Sequence, residues 1–153
     1  MSRLTPIAVL FAVLMTACGG GSALEDYYEL MAEIGRDQDA RSAEIVAPGT
    51  TPARTQIAEI VDLRRQALEE LRRIEPPDEV AGLHGEFVGS LEEVVTLAET
   101  FLADTEDLDA RAFAEALANS TEIDEAQRRF TAFCRTLEIE ADALDVGPVD
   151  LSC

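Results

Sequence analysis

The sequence contains one histidine, His84, which is the residue best suited to binding a metal ion. Within a helical bundle it could bind a metal ion, a haem iron or another small ligand, or it could hydrogen-bond across a helix pair. A ferritin-like di-iron centre needs two Glu-x-x-His motifs, and covalent haem attachment needs Cys-x-x-Cys-His; both are missing. We therefore predict a structural histidine, no cofactor and no metal site, with ligand contact through His84 as the alternative.

Acidic residues cluster between Asp104 and Asp109, at a spacing close to that of a calcium-binding loop. Such a loop requires glycine at its sixth position, where this sequence has Asp109, and its fifth position is Leu108. Negative side chains also stabilise the first turn of a helix, which explains the cluster more simply. No pair of the 31 acidic residues stands out for acid–base catalysis, and no nucleophile or phosphate-loop motif is present. We predict that the protein is not an enzyme; catalysis by acidic residues is the alternative.

The N-terminus carries Arg3 and then an apolar segment of about a dozen residues, shorter than the ~20 that a membrane-spanning helix needs. Its length fits the apolar region of a secretory signal. The run from Leu14 through Ala17 to Cys18 resembles the lipobox of bacterial lipoprotein precursors. The resemblance implies a signal peptide over 1–17, lipid on Cys18, a tether over 18–23 and an extracytoplasmic protein anchored to the lipid bilayer of the cell envelope. The alternative is an ordinary secretory signal with an unmodified cysteine.

The two remaining cysteines, Cys134 and Cys153, are predicted to pair once Cys18 is assigned to lipid, because disulfides persist outside the cytoplasm. Cys134 lies roughly 16 Å from the expected helix end near residue 145, at ~1.5 Å per residue. The tail beyond it can reach roughly 26 Å at ~3.3 Å per residue, so it can fold back to Cys134. A redox-active or metal-binding pair is the alternative, although Cys-x-x-Cys spacing is absent.

Charge narrows the choice of partners. The 12 basic residues are all arginine, and the formal net charge is −19 at pH 7. Such a surface repels nucleic acid, which we exclude as a partner. A hydrophobic fraction of 47% is sufficient for a packed core.

Apolar residues recur at helical spacing along the whole mature chain. The pattern predicts four helices, over about 24–46, 52–75, 77–102 and 105–145. Asn119-Ser120-Thr121 are weak helix formers that could kink the last helix, but the apolar period continues across them and favours one long helix over two. Short connections favour an all-α, antiparallel up-down-up-down four-helix bundle over 24–153, with a short disulfide-tethered C-terminal tail.

Two arginine pairs, Arg64-Arg65 and Arg72-Arg73, lie on the second predicted helix. Glu69, Glu70 and Glu75 are within reach, so we predict solvated ion pairs along this helix. A basic docking face for an acidic partner is the alternative.

Two short patterns resemble small, Glu-rich helical lipoproteins of free-living bacteria. One is Phe130-x-x-x-Cys134-x-x-Leu137 with the ending Val149-Asp150-Leu151-x-Cys153, and the other is Pro76-Pro77-x-Glu79-Val80 followed by His84-x-x-Phe87. The resemblance implies a helical fold and no known activity. We therefore predict a membrane-anchored, extracytoplasmic, non-enzymatic module that binds an envelope partner or supports envelope structure. A ligand-, metal- or haem-binding bundle using His84 is the alternative.

Overall fold

A computed structural model describes residues 23–47 and 51–153, which form five α-helices and no strand. These are α1 (Ala23–Ile45), α2 (Ala53–Leu71), α3 (Ala81–Asp104), α4 (Ala110–Ala118) and α5 (Thr121–Ala143). The prediction of an all-α fold is confirmed. The predicted signal peptide over 1–17, Cys18 and the tether as far as residue 22 lie outside the described residues.

Within residues 23–47 and 51–153, no helix is both long enough and apolar enough to cross a membrane.

The prediction of one continuous fourth helix is wrong, because the chain leaves helical geometry between α4 and α5. The Asn119 side chain donates to the carbonyl oxygen of Glu115 at 2.6 Å, and Ser120 has a ψ of 80°. Asparagine and serine compete in this way with the helical backbone hydrogen bonds. The apolar period continues across the break, but the local side-chain hydrogen bond ends α4.

The corner between α2 and α3 is longer than predicted. Residues 78–80 form a turn in which the Val80 amide donates to the Pro77 carbonyl at 3.0 Å, so α3 begins at Ala81. The two prolines cannot donate backbone hydrogen bonds, which favours a turn before the helix starts.

Arg54 joins the start of α2 to the end of α3. Its guanidinium donates to the carbonyl oxygens of Leu102 and Thr105, which the end of a helix leaves without helical partners. The guanidinium carbon also lies 4.4 Å from the ring centroid of Phe113 in α4, a cation–π contact. One side chain thus positions three helices at this end of the molecule.

The core is formed mainly by contacts of α2 with α1 and α3, and of α3 with α5. Its most deeply buried large side chains, besides Cys134, are Tyr28, Val80, Val94, Phe113 and Leu137.

The C-terminal tail packs against this core. Cys134 and Cys153 are joined by a disulfide with a Cα–Cα distance of 5.8 Å, as predicted. The turn before the tail uses Gly147, whose φ of 93° favours glycine. Leu151 is only 5% exposed, and its amide donates to the Glu138 carboxylate at 3.0 Å.

Gly35 of α1 allows the tail to approach this closely. A Cβ atom at position 35 would overlap the carbonyl oxygen of Leu151 and would lie 3.0 Å from its carbonyl carbon. These are backbone atoms, so the tail itself would have to move.

We expect Gly35→Ala to lower the free energy of unfolding by about 1–3 kcal/mol, the usual cost of overpacking. Gly89→Ala is the matched control, because position 89 lies within α3 with open space around it. It should raise the free energy of unfolding by about 0.5–1 kcal/mol through helix propensity. Urea unfolding of both variants checks the difference, and equal stabilisation by both would contradict the close approach of the tail.

Candidate functional site

His84 lies in the core, 6% exposed, with both ring nitrogens hydrogen-bonded. Nε2 lies 3.1 Å from the carbonyl oxygen of Leu71, and Nδ1 lies 3.1 Å from the hydroxyl oxygen of Tyr27. A carbonyl only accepts, so Nε2 carries the hydrogen and Nδ1 accepts from Tyr27 in the neutral ring. Burial lowers the pKa of His84, although the bond to Leu71 opposes this shift, and burial raises the pKa of Tyr27.

These contacts place His84 between α1, α2 and α3 as a hydrogen-bonded crosslink. A metal or haem iron at Nδ1 would have to displace the Tyr27 hydroxyl. Over residues 23–47 and 51–153, no group of three or more His, Cys, Asp or Glu residues could hold a metal ion.

The acidic cluster at 104–109 lies between α3 and α4. Asp109 is the N-cap of α4, and its carboxylate accepts from the amides of Arg111 at 3.0 Å and Ala112 at 2.9 Å. Asp104 is the last residue of α3. For Asp109, the predicted role at a helix start is therefore confirmed.

Three of the four paired arginines make ion pairs at the surface. Arg73, in the turn after α2, pairs with Glu69 of α2 at 3.6 Å, as predicted, whereas Arg72, the C-cap of α2, reaches Glu92 of α3 at 2.6 Å. Arg65 likewise pairs with Glu99 of α3 as well as with Asp62 of α2. The prediction of pairing along one helix is thus correct only in part, because α3 packs close enough to supply carboxylates.

The fourth arginine, Arg64, is half-buried and has different surroundings. It donates to the side-chain oxygen of Gln127 in α5 at 2.8 Å. No carboxylate of the described residues forms an ion pair with Arg64, and burial lowers the pKa of its guanidinium.

Arg64 and Gln127 line a cavity of about 220 Å³. Residues from α1, α2, α3, α5 and the C-terminal tail surround it, and the Cys134–Cys153 disulfide forms part of its wall. The larger apolar side chains of the lining include Met31, Leu71, Phe87, Leu91, Phe130 and Leu151. The polar side chains of α1 in the lining are Gln38, Asp39 and Ser42. The arrangement combines an apolar interior with one positive charge, which is typical of small-molecule sites.

Sequence reasoning missed Arg64 as a site residue. The signal was present, because Arg64 lies three residues after Val61 and four before Leu68 and so occupies the apolar side of α2. Gln127 lies in the same way between Ile123 and Phe130 on α5. A charged residue within an apolar stripe must find a partner or face a cavity.

Comparison with known proteins adds no relative: no family model, curated protein or solved structure matches the chain. The resemblance to bacterial lipoproteins therefore stays a prediction.

We expect the pKa of His84 to lie below its ordinary value of 6.5. Below about pH 6.5 the unfolded chain then binds a proton that the folded chain does not, so the free energy of unfolding falls as pH falls. His84→Gln should show a smaller fall between about pH 7.5 and pH 5 in urea unfolding. Tyr27→Phe, which removes the donor to Nδ1, should raise the pKa of His84 measured by NMR. A pKa of His84 at or above 6.5 in the unmodified protein would refute the predicted lowering by burial.

We expect Asp109→Ala to cost about 1 kcal/mol of unfolding free energy through loss of the N-cap. Asp107→Ala removes the same charge two residues away, outside the helix, and should have little effect. Thermal unfolding with and without calcium measures both contributions. A calcium-dependent rise in stability that Asp109→Ala abolishes would show that the cluster is an ion site.

Proposed function

We propose that the protein is a non-enzymatic binding module held outside the cytoplasm by lipid on Cys18. The disulfide between Cys134 and Cys153 carries this proposal, because such bonds persist in oxidising compartments. The lipobox-like run before Cys18 supports the anchor. The 220 Å³ cavity beside the disulfide supports a binding role. No catalytic step is assigned.

We also propose that α1, α2, α3 and α5 form the antiparallel four-helix bundle, with α4 as a short extension. Pairs of contacts between α1 and α2 support opposite directions: Arg41 bonds to Gln66 at 2.9 Å, and Gln56 bonds to the Ile45 carbonyl at 3.3 Å. From the first contact to the second, the residue number rises along α1, from 41 to 45, and falls along α2, from 66 to 56. The contacts of α3 with α2 and α5 support the remaining neighbours.

The bilayer is the first partner in this proposal, reached through acylated Cys18. The full sequence has a net charge of −19, and such a chain does not attract anionic headgroups or nucleic acid, so the tether positions the domain near the membrane without laying it on the surface. An envelope protein is a possible second partner. A metal- or haem-binding role for His84 has less support, since both of its ring nitrogens already have protein partners.

Labelling of producing bacterial cells with radioactive palmitate tests the anchor. We expect the full chain to be labelled and Cys18→Ser to be unlabelled. Titration of free thiols in denatured, unreduced protein should find none, because Cys18 is a thioether and the other two cysteines are paired.

Two outcomes would contradict the proposal. An unlabelled full chain with one reactive thiol would indicate an ordinary secreted protein. Three reactive thiols would indicate a protein that stays in a reducing compartment. Cys134→Ser serves as the control for the titration, because it should expose one thiol without changing the palmitate signal.

A further inference from the structure

We propose that the cavity at Arg64 binds a small apolar monocarboxylate, with the carboxylate on the Arg64 guanidinium and the apolar part within the cavity. The proposal rests on the binding role proposed above and names the class of ligand.

The charge of Arg64 favours an anionic ligand. A guanidinium offers five N–H donors, and within residues 23–47 and 51–153 Arg64 donates to one acceptor, the neutral amide oxygen of Gln127. Its neighbour Arg65 pairs with two carboxylates, and Arg72 pairs with Glu92. A chain with 31 acidic residues thus leaves the arginine of its cavity without an acidic partner among the described residues.

Other arginines without a recorded ion pair have different surroundings. Arg36, Arg128 and Arg135 are exposed, so water solvates their charge. Arg54 donates to backbone carbonyls and lies over Phe113. Arg64 is half-buried beside apolar side chains and, unlike Arg54, donates to no backbone carbonyl of the described residues, so a carboxylate can form a bidentate, charge-assisted pair with it.

The apolar lining favours a ligand with a hydrocarbon body. Leu71, Phe87 and Phe130 offer hydrocarbon and aromatic surface that a free inorganic anion would not use. Phe87 and Phe130 stack with ring centroids 5.1 Å apart, which gives the cavity a fixed wall. A ligand with an apolar body gains by leaving water here.

Size and rim charge limit the ligand further. At the packing density of protein interiors, a cavity of 220 Å³ accepts a ligand of about ten non-hydrogen atoms. Asp39 is an exposed residue of the lining, and its charge disfavours a second carboxylate on the ligand. A monocarboxylate such as octanoate fits both limits.

Calorimetric titration with octanoate tests the proposal on the full chain carrying Cys18→Ser, which has no acyl group to compete. We expect saturable binding of one octanoate per chain. Octanol and octylammonium, which keep the apolar tail, should bind at least about tenfold more weakly, because neither can form a charge-assisted hydrogen bond as an anion with Arg64.

Arg64→Gln in the same background should weaken octanoate binding at least about tenfold and remove its advantage over octanol. Arg65→Gln is the matched control: it makes the same change of charge on the exposed face of α2, and octanoate affinity should stay within about twofold, as expected when a screened surface charge is lost. Ala67→Leu keeps Arg64 but adds a larger side chain to the lining, so it should abolish octanoate binding by filling the cavity. Circular dichroism of this variant checks that its helix content is unchanged.

Several results would overturn the proposal. These are no octanoate binding, equal affinity for octanoate and octanol, or equal losses in Arg64→Gln and Arg65→Gln. Because the titration uses unacylated protein, failed palmitate labelling would leave the ligand result intact. Absence of octanoate binding would equally leave the anchor in place.

Discussion

The disulfide between Cys134 and Cys153 is the constraint on which the rest of the structure depends. It links two residues with a sequence separation of 19. Closing this loop stabilises the folded state by about 3 kcal/mol, because it limits the conformations open to the unfolded chain. It also holds Leu151 in the core, against the one α1 position where glycine leaves room for its backbone. Without this disulfide the tail would lose its covalent link to α5, and the cavity would lose part of its wall. Formation of the disulfide is thus a condition for the site as well as for stability.

Polar residues within apolar stripes show how the core is divided between structure and binding. Both ring nitrogens of His84 form hydrogen bonds, one with the Tyr27 hydroxyl and one with the Leu71 carbonyl, so His84 links three helices. The side-chain oxygen of Gln127 accepts a hydrogen bond from Arg64. Arg64 keeps free donors, and no carboxylate of the described residues forms an ion pair with it. Burial of a charge is costly unless it is paired, so a cavity at this residue is a meaningful place for an anion to bind.

Features that depend on local sequence spacing, such as the helices and the disulfide pairing, were predicted well from the sequence. The apolar period located the helices, and the reach of the tail from the end of α5 allowed the pairing of Cys134 with Cys153. It failed at Asn119, because one side-chain hydrogen bond ends α4 while the apolar period continues. It also failed at Arg64, which was grouped with its surface neighbour Arg65. Whether an arginine finds a carboxylate depends on which helices lie beside it, and the cavity exists only when four helices and the tail pack together.

A crystal structure of the chain with 6-bromohexanoate, located by the anomalous signal of bromine, tests directly whether the cavity binds a carboxylate at Arg64. We expect a bromine peak inside the cavity, near Phe87 and Phe130, with the carboxylate on the Arg64 guanidinium. A peak only at the protein surface, or a cavity with no bromine at saturating ligand, would contradict it.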